Sequence, residues 1–85
     1  SCGRLWWKGK RLLIANIGLS NSLLFNSLWD EKKFDAMCTF HWRKGLWHVS
    51  LYSTRSDVDV GELAKLCGGG GHKGAAGFYS KEPVV

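Results

Sequence analysis

Gly68-Gly69-Gly70-Gly71, followed by His72 and Lys73, is the stretch of this chain whose residue types and order point to chemistry. A glycine loses more backbone freedom on ordering than any other residue, so four in a row inside a folded domain need compensation. The compensation expected is a ligand, or a second backbone, that comes closer than a Cβ would allow. A turn with several free N–H groups is a concavity for anions, and a phosphate or sugar-phosphate backbone fits it best. His72 stands at its lip and Lys73 just past it, so donors and positive charge converge. These residues predict a phosphate-gripping module.

The elements that must hold this loop are legible on either side of it. Asp59 with Glu62 three residues on reads as a capping box, with Val58 and Leu63 placed as a hydrophobic staple. Val60, Leu63, Ala64 and Cys67 then form one apolar stripe, and Gly68 is the expected helix stop. The glycine run therefore starts at a helix C-terminus, where the dipole repels anions. Any grip must come from turn N–H groups, His72 and Lys73. Beyond it, Gly74-Ala75-Ala76-Gly77 suits close backbone packing, and Phe78-Tyr79 returns as a last strand.

Upstream, Phe34, Ala36, Cys38, Phe40 and Trp42 alternate with Asp35, Met37, Thr39 and His41, the period of a half-buried strand. Arg43-Lys44-Gly45 turns the chain into a hairpin with 46–53. There Trp47, Val49 and Leu51 share one face, and His48, Ser50 and Tyr52 the other. Leu12 to Gly18 reads as a strand covered on both faces, and Ser20 or Asn21 caps a short helix through about Trp29. The expected fold is α/β: a small mixed sheet of about four strands, one antiparallel hairpin among them, packed with two helices.

Bulk properties set the bounds. Eighty-five residues make one domain, with its core at about 10–80, and a hydrophobic content of 45% with five tryptophans supports a real core. The net charge of +5 favours an acidic partner, nucleic acid first. Cys2, Cys38 and Cys67 are odd in number and widely spaced, which points to reduced thiols in a cytoplasmic setting. No signal peptide or membrane span is legible, so no membrane partner is expected. The chain does not begin with Met and reads as part of a longer protein.

The serine-flanked strand Val49-Ser50-Leu51-Tyr52-Ser53, the capped helix opened by Val58-Asp59-Val60, and GGGGHKGAAGF at 68–78 form a specific combination. Together they resemble the C-terminal DHH-associated domain of the DHH phosphoesterase superfamily, over roughly residues 10–80. The resemblance implies an N-terminal catalytic domain holding two divalent metals, typically manganese with magnesium as the alternative. It would hydrolyse a phosphoester across a cleft from this one. It also implies that Gly68–Gly71 and His72 grip the phosphates of a short oligonucleotide or nucleotide phosphate. The Asp-His-His motif is missing from the 85 residues, so this chain carries no catalytic residue, metal ligand or cofactor of its own. Many relatives carry arginine between the two serines of the strand; here Tyr52 precedes Ser53, and Arg55 is the candidate substitute. The implied phosphate-binding set is Gly68, Gly69, Gly70, Gly71, His72, Lys73, Tyr52, Ser53 and Arg55.

Two other readings compete. Gly71-His72-Lys73-Gly74 is a G-x-x-G of the kind with which KH domains clamp a nucleic-acid backbone, which suggests a stand-alone RNA-binding module. The tryptophan load suggests a dimerisation domain. In Arg4 to Arg11, Trp6 and Trp7 lie among cations; an interface is favoured there over base stacking. Trp29, Trp42 and Trp47 are expected to pack in the core or on the sheet. His41 and His48 have no ligand-spaced partner, and Ser50 and Ser53 have no relay, so neither pair is expected to do chemistry.

Overall fold

A computed structural model describes residues 2–16 and 29–82, with side chains described for 8–14 and 29–82. Strands β1 (Cys2–Trp7), β2 (Lys10–Asn16), β3 (Ala36–Arg43) and β4 (Leu46–Tyr52) precede helix α1 (Val60–Lys65). Strands β5 (Gly70–Gly71) and β6 (Ala75–Ser80) follow it. The strands form one sheet in the order β1-β2-β3-β4-β6-β5, in which β2 and β3 run parallel and every other pair antiparallel.

The α/β class with a mixed sheet stands, but the sheet has six strands rather than about four. One addition is β1, which pairs with β2 from Cys2↔Ala15 to Trp7↔Lys10, so the stretch from Arg4 to Arg11 is a hairpin. The other is β5, made of the glycines themselves. The helix expected between Ser20 and Trp29 falls on 17–28, outside the described residues.

Both amino-proximal hairpins turn on a Lys-Gly pair with left-handed backbone: φ is 49° and 77° at Lys8-Gly9, and 51° and 82° at Lys44-Gly45. Positive φ at both turn residues is the two-residue geometry that matches strand twist. At the second turn Trp42 faces Trp47 across the strands, rings edge to face at 5.4 Å. Trp42 is 56% exposed and packs on the sheet against Trp47, whereas Trp47 also packs against the core.

The core lies on one face of the sheet, under α1. Register places Cys38 beside Leu51 and Phe40 beside Val49, and Val49 beside Phe78. Val58, Val60, Leu63 and Ala64 close over them. The opposite face is covered at the β2 end by a second cluster, Leu13 and Phe34 with Trp29 and Met37. Toward β6 and β5 no described residue covers that face, and Ala75 and Tyr79 on it are exposed.

The helix begins where the capping signal put it. The Asp59 side chain accepts from Glu62 N–H at 3.1 Å, and Val58 and Leu63 meet in the core.

Candidate functional site: the glycine hairpin and the open sheet face

The first question for an anion-binding loop is where its N–H groups go. Gly68 N–H donates to Lys65 C=O at 3.1 Å and Gly69 N–H to Ala64 C=O at 2.9 Å, with φ of 84° at Gly68. This is a Schellman closure, and it uses both amides to finish the helix. His72 N–H donates to Ala75 C=O at 2.8 Å, and Ala75 N–H donates back to His72 C=O at 3.3 Å. Because that pair exchanges both bonds, antiparallel alternation makes Gly70–Gly77 the next bonded pair and turns Gly71 N–H away from β6. Four of the five amides from Gly68 to His72 are therefore spent on the fold. The expected cradle of free glycine amides reduces to one, at exposed Gly71.

The glycines themselves are mostly structural. A Cβ at Gly69 would lie 2.1 Å from Gly77 C=O, and one at Gly71 would lie 2.6 Å from Ala76 Cα, with φ there at 148°. Gly68 needs its left-handed backbone. Gly70 differs: its φ is not in the left-handed range, and a Cβ there would meet nothing within 4 Å.

The two-residue turn Lys73-Gly74 is braced from behind. Lys73 C=O accepts from Val60 N–H, and Gly74 C=O from Ser53 N–H, each at 3.0 Å. Gly61 at the start of α1 presses on the same hairpin, since a Cβ there would sit 3.1 Å from His72 C=O. The tip's carbonyls thus face protein, while the side chains of His72 and Lys73 are exposed and bond to no other described residue. Tyr52, 40% exposed, pairs with Ala75, next to the turn. His72, Lys73, Tyr52 and Gly71 N–H thus come together at one end of the sheet.

Ser53 and Arg55 do not join them as free groups. Ser53 Oγ donates to Asp35 C=O at 2.7 Å and accepts from Arg55 N–H at 3.1 Å, which fixes the strand exit. The Arg55 guanidinium grips Asp57 through two hydrogen bonds (2.9 and 2.6 Å) and reaches Asp35 with its third nitrogen. Asp35 also accepts from Arg11 N–H (2.7 Å) and from the Arg11 guanidinium. Burial pushes the Asp35 carboxyl up, but the Arg11 hydrogen bonds and the charges of Arg11 and Arg55 outweigh it and hold it below the ordinary carboxylate range. Arg55 is a strut between two carboxylates.

Sequence reasoning sets His41 and His48 aside, yet they stack at 4.9 Å across β3 and β4, and the rings of His48 and Tyr79 stand perpendicular with centroids 4.7 Å apart. The register in β3, β4 and β6 already placed these rings in one row. Beside it runs a row of small residues, Gly70, Gly77, Ser50 and Thr39. His41, His48, Tyr79, Ser50 and the Gly68–Gly70 and Gly77 backbone line an open trough of about 540 Å³.

Among the described residues no three His, Cys, Asp or Glu side chains converge to hold a metal ion. The described residues do not fit a dinuclear metal site. No helix among the described residues is long and apolar enough to cross a membrane. The G-x-x-G of Gly71–Gly74 turns between two strands, not between two helices, so its geometry does not match the KH-like expectation.

No family model matches the chain, and no curated protein does. It is similar to the crystal structure of an uncharacterized protein from Helicobacter pylori G27, with 27% identity and a TM-score of 0.66. The match covers 96% of this chain and 23% of that one, so the chain spans about a quarter of the length of the protein it resembles.

Proposed function

We propose that this chain is the substrate-gripping domain of a DHH-type, metal-dependent phosphoesterase. It holds the phosphates of a short oligonucleotide or nucleotide phosphate and leaves hydrolysis to a separate metal-bearing domain, in the cytoplasm. The observation that carries the reading is the braced tip at His72-Lys73. Beside the Gly71 N–H, two cationic-capable side chains stand on a turn whose His72, Lys73 and Gly74 carbonyls are each bonded within the fold. Such a turn offers donors and positive charge to an anion while its own three carbonyls are already occupied. Tyr52 beside it offers a hydroxyl and a ring in place of the family's arginine. Likeness to a segment of a much longer protein agrees with one domain working beside another.

The grip differs from an amide cradle: side chains hold the phosphate, and the glycines shape the hairpin. Calorimetric titration of the chain with a 5′-phosphorylated dinucleotide tests it. His72→Ala should weaken binding about tenfold, the loss of one charge-assisted hydrogen bond. Unchanged affinity in His72→Ala and Lys73→Ala alike would overturn the reading.

A further inference from the structure

Gly70 is the glycine of the run for which the fold supplies no reason. Its three neighbours are required by backbone conformation or by contact with β6, whereas a side chain at Gly70 would extend into open space. That space is the trough. Gly70 shares a cross-strand row with Gly77, Ser50 and Thr39, so the floor there is bare backbone at two positions and a small hydroxyl side chain at the other two. Along one side stand Tyr79, His48 and His41; along the other lie Ala75, Tyr52 and Met37. No acidic residue occurs in these three rows. The row of Ala75 and Tyr52 leads to His72 through the His72–Ala75 hydrogen bonds.

We infer that this face is a stacking floor for single-stranded nucleic acid, entered from the His72-Lys73 tip. Tyr79 is 66% exposed and stands perpendicular to His48, ring centroids 4.7 Å apart, so the contact braces the ring while most of it stays open to a base. An aromatic platform of this kind takes any base, because every base has a π-face, and the backbone follows nearby positive charge. The bare backbone at Gly70 and Gly77 lets a sugar lie close to the sheet beside a stacked base. The inference rests on the proposed phosphate grip and narrows its substrate from nucleotide phosphates in general to strands several nucleotides long.

The test is a fluorescence-anisotropy titration of the 85-residue chain with two labelled, 5′-phosphorylated probes: hexa-adenylate and an abasic hexamer of the same sugar-phosphate backbone. The chain should bind hexa-adenylate more tightly. Tyr79→Ala should weaken hexa-adenylate about tenfold and leave the abasic probe unchanged, while Tyr79→Phe keeps wild-type affinity for both. Gly70→Val fills the floor and should also weaken hexa-adenylate, with circular dichroism and the melting temperature confirming an intact fold. If Tyr79→Ala and Gly70→Val bind hexa-adenylate like the wild type, the stacking floor is overturned. If His72→Ala still weakens both probes in that case, the phosphate grip survives. Loss on Tyr79→Ala with no effect of His72→Ala supports the floor and removes the tip; binding of neither probe removes both.

Discussion

Gly69 lies so close to Gly77 that a Cβ added to it would sit 2.1 Å from the Gly77 carbonyl oxygen. The obstacle is backbone in the middle of a sheet, which cannot swing aside. One residue further on, Gly70 faces open space. Adjacent glycines therefore have opposite reasons to be glycine, and stability measurements separate them. Gly69→Ala should destabilise the chain by about 3 kcal/mol or more. Gly70→Ala should leave stability unchanged or raise it by about 0.5 kcal/mol, since a compatible alanine restricts the unfolded chain. Urea denaturation of the two variants checks both.

The Asp35 carboxylate joins β2 to the loop after β4 through Arg11 and Arg55. Its acidity is increased in the folded state, so its contribution is present above the unfolded carboxylate range, at about 3.9, and is lost as pH falls through and below it. Asp35→Asn should lower stability at neutral pH by about 2 kcal/mol and flatten the acid limb of the stability profile. Denaturation midpoints across the acid range show whether the limb belongs to Asp35.

Cys38 is buried between strands, and burial pushes its thiol up to about 12. The thiolate is the nucleophile, so Cys38 should resist alkylation in the native chain at pH 8 and react only after unfolding. Mass spectrometry of iodoacetamide-treated protein, with and without denaturant, reads this site by site.

Trp42 and Trp47 stack edge to face beside the Lys44-Gly45 turn, with Trp42 largely in solvent. A double-mutant cycle to alanine should return a coupling of about 0.5–1 kcal/mol, the ordinary value of an aromatic cross-strand pair. A coupling near zero would mean that Trp42 contributes nothing to the hairpin and is there for something outside this chain.

What could be read from the residues was local. The period-two pattern of β3 and β4, the Lys44-Gly45 turn and the Asp59 cap each depend on neighbours within a few positions, and each is where its signal lay. β1 was hidden because Trp6-Trp7 breaks the alternation, although Lys8-Gly9 repeats the Lys44-Gly45 turn. Glycine has no strand preference, so β5 forms at Gly70–Gly71 only because β6 is there to pair with. The same pairing, with the helix closure, uses up the amides that an isolated glycine loop would leave free. One of the two carboxylates that hold Arg55, Asp57, is two residues on and was legible in the sequence; the other, Asp35, lies 20 residues away and was not. The stacked row of His41, His48 and Tyr79 is likewise a product of register across three strands.

The central claim, that the hairpin tip and not the whole glycine run meets phosphate, is tested most directly by amide NMR of the chain titrated with a 5′-phosphorylated dinucleotide. Shifts should concentrate at Gly71, His72 and Lys73, with the capping amides of Gly68 and Gly69 little changed. Shifts spread evenly across Gly68 to Gly71, or none at the tip while the ligand binds elsewhere, would contradict it.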